Sequence, residues 1–158
     1  MDPQHSWDKS AVEAIANALK DRPGALTLIL RRVQDELGWV PPDSIPIFAH
    51  ILNLSRAEVH GVVSFYHDFR HEPPGVNIVK VCRAESCQAM GGVALADYIK
   101  QRLKCDFGAT SANRAFTLEP VYCLGNCACS PAIMINGELV GRVTPESFDA
   151  ALARLEAR

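Results

Sequence analysis

Cys82-x4-Cys87 and Cys123-x3-Cys127 are two short brackets of thiols, separated by thirty-five residues that read as one helix and one strand. Thiolates are soft ligands, and four of them converging in a tetrahedral S4 set bind zinc or build an iron–sulfur cluster. Spacings of four and three lie within the range that zinc sites use, so spacing alone leaves both open. The loops inside the brackets are small and backbone-rich, Arg83-Ala84-Glu85-Ser86 in the first and Leu124-Gly125-Asn126 in the second, with Ala84 and Gly125 the small residues. Small residues let main-chain N–H groups approach sulfur closely, which a cluster with bridging sulfides uses to set its potential. Disulfides remain a third reading. A thiol oxidoreductase is disfavoured, because the first bracket is C-x4-C and not C-x-x-C.

The elements that must position these cysteines follow from pattern. Val76 to Val81 alternates and is rich in β-branched residues, so a strand is expected there. A helix is expected from Gly91 to about Leu103, with Val93, Leu95, Ala96, Ile99 and Leu103 on its apolar side, and a second strand from Phe116 to Val121. Ala132 to Ile135, Asn136-Gly137 and Glu138 to Val143 predict a hairpin with the strongest two-residue turn signal. Thr144-Pro145 predicts the N-cap and first residue of a final helix to about Leu155. This is the element order of a thioredoxin-like α/β domain. A right-handed crossover makes strands 76–81 and 116–121 parallel, which places Cys82 and Cys123 at one edge of the sheet.

Residues 7–70 read differently, as helix throughout. Ser10-x-x-Glu13 and Ser55-x-x-Glu58 are capping-box patterns, and Gly38 is a suitable stop for a helix carrying Leu26, Leu28, Ile29, Leu30, Val33 and Leu37. Trp39 to Pro42 is an extended connection, and a third helix from about Ser44 offers Ile47, Phe48, Ile51 and Leu52. The fold class expected is therefore α/β, an N-terminal all-helical segment followed by a thioredoxin-like βαβ-ββα domain. The division is a helical docking domain over 1–70, a linker over 71–75 (His71-Glu72-Pro73-Pro74-Gly75) and the cysteine-bearing domain over 76–158.

The chain of 158 residues has a formal net charge of -2 and 22% charged residues, so charge gives no drive toward nucleic acid or an anionic membrane. Its apolar runs fall short of the roughly 20 residues a spanning helix needs. Met1 to Ser6 lacks the features of a signal or transit peptide, and a cytoplasmic location is expected, where thiols stay reduced.

The run from Val121 to Gly137, with Cys123, Cys127 and Pro131, resembles the thioredoxin-like [2Fe–2S] ferredoxin family. So do Val79-Lys80-Val81-Cys82 with Cys87, the stretch Leu28 to Pro41 ending Leu37-Gly38-Trp39-Val40-Pro41, and Ala57 to His67. The family includes the small iron–sulfur subunit of the NADH-oxidising module of respiratory complex I, its counterpart in NAD-reducing hydrogenases, and the gamma subunit of NAD-dependent formate dehydrogenases. Cys127-Ala128-Cys129-Ser130-Pro131-Ala132 and Gly141-Arg142-Val143-Thr144-Pro145 look most like the gamma subunit of formate dehydrogenase. The resemblance implies one [2Fe–2S] cluster with Cys82, Cys87, Cys123 and Cys127 as its ligands, and because each loop is too tight to straddle the cluster, the first pair is expected on one iron and the second on the other. It also implies a flavoprotein partner that binds FMN and NAD and, for the formate enzyme, a molybdenum-containing catalytic subunit. The chain alone is expected to hold no substrate site and to act as an electron-transfer subunit of an oxidoreductase. From another class, a zinc-stabilised adaptor is the alternative.

Other residues carry weaker signals. Cys129 is either a further sulfur tuning the site or a packed small residue, and Cys105 reads as packing. His60, His67 and His71 read as solvated or capping groups, and Phe65 and Tyr66 as core or interface anchors. Gly91-Gly92 lacks the G-x-G-x-x-G pattern, so no nucleotide site is expected there. The extra helices of the N-terminal half can serve to dock a larger subunit, to cover one face of the sheet, or both.

Overall fold

The computed structural model describes residues 6–156, divided into two compact units at Pro73/Pro74. Met1 to His5, part of the stretch read for targeting signals, lie outside the described residues.

The first unit is helical: α1 (Lys9–Leu19), α2 (Ala25–Leu37), a 3-10 turn (Pro42–Ser44), α3 (Ile45–Leu52) and α4 (Arg56–Phe65). The Ser55 capping box forms in full, with Glu58 N–H donating to Ser55 Oγ and Ser55 N–H to Glu58 Oε2. At α1 the expected cap is displaced: Asp8 is the N-cap, its carboxylate accepting from the Ser10 N–H at 2.8 Å. A carboxylate two residues upstream reaches that orphan donor first, so Ser10 lies inside the helix. Gly38 ends α2 with φ 84° and donates to the Gln34 carbonyl, as expected of a left-handed stop. Ile29, Leu30 and Val33 of α2 pack with Val12, Phe48 and Val59 in the core, but Leu28 is exposed, because it falls outside the stripe those residues define. Past α4 the chain stays tied to this unit: Gln34 donates to the Asp68 carbonyl and accepts from the Arg70 N–H, each at 2.7 Å.

The second unit is a five-stranded sheet in the order β2-β3-β1-β4-β5. The strands are β1 (Asn77–Cys82), β2 (Ala109–Thr110), β3 (Phe116–Val121), β4 (Ala132–Ile135) and β5 (Glu138–Gly141). β1 and β3 are parallel, with Cys82 opposite Val121, and the other pairs are antiparallel. Asn136 and Gly137 both take positive φ (50° and 87°), the turn a two-residue hairpin needs. The Asn136 side chain also accepts from the Ile78 N–H at 2.9 Å, fixing the hairpin against β1. Two helices pack on the sheet, α6 (Val93–Leu103) and α7 (Pro145–Glu156), and Ile99, Leu118, Ile133, Phe148 and Leu152 are fully buried among them. At roughly 1.5–3 kcal/mol for each large apolar side chain removed from water, this core holds the sheet on which both brackets are mounted.

Three features depart from the pattern reading. α6 begins at Val93, which is exposed, and is preceded by a separate helical turn, α5 (Glu85–Cys87). Between them Met90 and Gly91 leave helical geometry, Gly91 with φ 86°, so the apolar stripe starts at Leu95. β2 is an edge strand of two residues, too short to show periodicity in the sequence. Gly75 is not free linker: its N–H donates to Thr117 Oγ1 at 2.7 Å, and a Cβ there would meet the backbone of Phe116.

Candidate metal centre

Parallel pairing of β1 and β3 brings the starting points of the two brackets together. Cys82 is the last residue of β1, and the Arg83 N–H donates to the Val121 carbonyl at 2.7 Å, two residues before Cys123. The chain then turns into α5, which ends on Cys87 and is continued by an N–H bond from Gln88 to the Ala84 carbonyl. Gly92 returns against this turn, and a Cβ on it would run into the Cys87 carbonyl. Only glycine lets the chain pass so close and still enter α6.

The second bracket is made of turns. Cys123 has φ 151°, a conformation that side-chain-bearing residues rarely adopt. Gly125 has φ 73°, and its N–H donates to Cys123 Sγ at 3.3 Å. Cys127 opens a 3-10 turn (Cys127–Cys129), after which Ser130-Pro131 is a cis peptide.

The thiols of Cys82 and Cys87 act on each other, and likewise those of Cys123 and Cys127. Cys87 and Cys82 also raise the Cys127 thiol, and Ser86 Oγ lies 3.3 Å from the Cys127 carbonyl, so the two brackets lie beside one another. All six cysteines are free thiols. Among the described residues, no group of three or more His, Cys, Asp or Glu is gathered about one point as a single ion requires; the thiols stand as two pairs.

The pairs differ in surroundings. Cys82 and Cys87 are 4% and 2% exposed, in a small apolar cluster with Ala132, Ala84, Val121 and Leu124. Cys123 and Cys127 are exposed. Burial pushes the Cys82 thiol up, and its bond to Cys87 adds to this, against the Ala84 and Leu124 N–H groups that favour the thiolate. For Cys87, burial also raises, but the Ser130 hydroxyl, the Cys82 thiol and the Ala132 N–H together outweigh it and hold the thiol below its ordinary value. Cys127 is pushed up, chiefly by its bond to Cys123. Sulfurs met by main-chain N–H donors, in two neighbouring brackets of free thiols, fit a thiolate-bound iron–sulfur group.

The remaining sequence candidates do not join the centre. Cys105 packs at the edge of the sheet core, where burial and then Asp106 raise its thiol. Cys129 is half-buried, and its carbonyl accepts the Arg142 N–H at 2.6 Å, pinning the turn to the end of β5. Gly141 allows this, since a Cβ there would lie 2.7 Å from Cys129 Cβ. His60, His67, His71, Phe65 and Tyr66 are exposed residues of the helical unit. A hollow of about 440 Å³ beside α6, lined by Lys100, Lys104, Cys105 and Asp106 among others, includes none of the four paired cysteines. Sequence reasoning passed over Ser130 and Ser86. Ser130 Oγ lies 3.4 Å from Cys87 Sγ and Ser86 Oγ lies 3.0 Å from Ser130 Oγ. No periodicity or spacing marks them, since the contacts join residues 43 and 44 apart.

Residues 12–156 match the family described as thioredoxin-like [2Fe-2S] ferredoxin, and the chain belongs to that family, whose cofactor is a [2Fe–2S] cluster. An NADH-quinone oxidoreductase subunit of Pseudomonas aeruginosa is 34% identical over 139 residues, 88% of this chain and 84% of that protein. A subunit of the NADH-quinone oxidoreductase of Thermus thermophilus is 36% identical over 137 residues, covering 86% and 76%. Among solved structures, an NAD+-reducing [NiFe]-hydrogenase in the air-oxidized state superposes with a TM-score of 0.71 at 22% identity. That match covers 87% of this chain and 24% of the hydrogenase chain, and it establishes likeness of fold. Among the described residues no helix is long and apolar enough to cross a membrane.

Proposed function

We propose that this chain is the electron-transfer subunit of an NADH-linked, flavin-containing oxidoreductase. In this reading Cys82 and Cys87 hold one iron of a [2Fe–2S] cluster and Cys123 and Cys127 the other. The observation that supports it is that two brackets of free thiols follow the carboxyl ends of two parallel strands and meet where Ser86 Oγ lies 3.3 Å from the Cys127 carbonyl. When bound, the cluster supplies a one-electron carrier. The protein's part is to fix the sulfurs, shield the inner pair from water and direct N–H donors at them. Nicotinamide exchanges two electrons as hydride, so a partner bearing FMN and NAD has to split the pair; relatives that are subunits of NADH-quinone oxidoreductases support such a partner.

Residues 1–70 are the docking domain in this proposal, joined through 71–75 to the cluster domain at 76–158. Phe65 and Tyr66, exposed at the end of α4, suit an anchoring role on a larger subunit. The finer assignment is the gamma subunit of an NAD-dependent formate dehydrogenase in the cytoplasm, acting with a molybdenum-containing catalytic subunit. It is supported by the runs Cys127 to Ala132 and Gly141 to Pro145.

Purification from native extract under anaerobic conditions tests each level. A reddish-brown chain that bleaches with dithionite and contains two irons per chain, co-purifying with a flavoprotein, is expected. Zinc without iron sinks the cluster assignment. Iron and flavin without molybdenum or formate-dependent NAD reduction would move the chain to a complex I or hydrogenase module and leave the coarser reading standing.

A further inference from the structure

The turn after Cys127 carries a hydroxyl that the ligand assignment does not use. Ser130 is buried, and its Oγ has three polar neighbours: the Cys127 carbonyl at 2.9 Å, Ser86 Oγ at 3.0 Å and Cys87 Sγ at 3.4 Å. Ser86 Oγ lies 3.3 Å from the same Cys127 carbonyl, which also receives the Ser130 N–H at 3.3 Å. Two hydroxyls, Ser86 inside the first bracket and Ser130 three residues past the second, thus share one carbonyl, and Ser130 alone reaches the sulfur.

Each serine has a single hydroxyl hydrogen that rotates to suit its surroundings. Of the arrangements that leave both hydrogens bonded, two bear on the sulfur. In one, Ser130 donates to the Cys127 carbonyl and Ser86 donates to Ser130 Oγ. In the other, Ser130 donates to Cys87 Sγ and Ser86 takes over the Cys127 carbonyl. Neither strands a buried donor, so exchange between them loses no hydrogen bond. A free thiol at Cys87 can itself donate, but an iron-bound thiolate only accepts. Its pull on the hydroxyl grows with the negative charge on sulfur.

We propose that Ser130 is a positioning residue for electron transfer, its hydroxyl turning from the Cys127 carbonyl to Cys87 Sγ when an electron is taken up, with Ser86 filling the vacated place. This rests on Cys87 being a ligand, as proposed above. The step makes and breaks hydrogen bonds only. Because the bond to sulfur favours the more negative state, it raises the reduction potential.

The test uses the native complex with its cluster, titrated spectroelectrochemically, with pulsed EPR in H2O and D2O on the reduced form. In Ser130→Ala, iron and sulfide content stay at the native level while the reduced-to-oxidised ratio at a given potential falls about tenfold, a shift of about 59 mV for one electron. The strongest exchangeable deuteron coupling disappears with it. Ser130→Thr, which keeps the hydroxyl, restores both. Ser86→Ala shifts the ratio the same way by a smaller factor, since Ser130 is then held longer on the carbonyl. Full iron content with unchanged potential in Ser130→Ala overturns the proposal. So does native protein in which no exchangeable deuteron couples more strongly than those of the main-chain N–H groups at the sulfurs, which decides the matter even if Ser130→Ala does not load. A native chain free of iron removes instead the ligand assignment underneath, and iron analysis tells the two failures apart.

Discussion

Cys82-x4-Cys87 and Cys123-x3-Cys127 use one residue type at almost one spacing, yet they are built in opposite ways. The first bracket belongs to the fold: one thiol ends a strand, the other ends a helical turn, and both are buried. The second belongs to the surface, on turns held by Cys123 at φ 151° and Gly125 at φ 73°. Burying an ionised sulfur is costly unless donors meet it, and Ala84, Leu124, Ala132 and Ser130 supply them to the inner pair. The outer pair leaves its thiols open to solvent. A ligand set is therefore read from its surroundings as much as from its spacing.

Substitutions in and around the two brackets put this contrast to the test. The greatest effect erases it: serine at any of Cys82, Cys87, Cys123 or Cys127 is expected to abolish visible absorbance, whereas Cys105→Ser keeps it. Equal colour in all five refutes the ligand set. Next, Gly92→Ala pushes a Cβ into the Cys87 carbonyl and is expected to cost about 1–3 kcal/mol in urea denaturation. Gly125→Ala meets open space and carries only the positive-φ penalty of about 1 kcal/mol. The reverse order contradicts the assignment of the first bracket to the core.

A third, more modest effect separates the pairs in the iron-free chain. Cys87→Ala removes buried atoms and is expected to lower stability by about 1 kcal/mol. Cys127→Ala leaves the denaturation midpoint unchanged. The slightest is a dependence on pH. The Cys82 thiol is raised in the fold, so its contribution is complete below its ordinary value of 9.0 and is lost as pH rises through the raised one. The Cys87 thiol is lowered, so its contribution is present above 9.0 and is lost as pH falls through the lowered one. Denaturation midpoints of the iron-free chain should therefore decline above about pH 9, and Cys82→Ala should lessen that decline. Cys105 contributes with the same sign, so the decline does not vanish.

Much of the scaffold was legible because its signals are local. Alternation marked β1, Asn136-Gly137 marked the hairpin, Gly38 marked the end of α2, and Ser55 with Glu58 marked the start of α4. Errors arose where two local signals competed or none existed. Asp8 and Ser10 are both good caps, and only the path of the chain into α1 decides between them. The break at Met90-Gly91 depends on how closely Gly92 must pass Cys87, which no propensity encodes.

That both brackets follow the carboxyl ends of two parallel strands could be read from the order of residues alone. A strand, a crossover and a parallel strand allow one hand of connection, and each bracket follows a strand end. Which pair lies inside and which outside, and which hydroxyls reach the sulfur, emerged with the folded chain. Burial and the contact of Ser130 with Ser86 and Cys87 arise between residues far apart in the chain, where packing of the whole sheet and its helices sets distances that no short stretch of sequence contains.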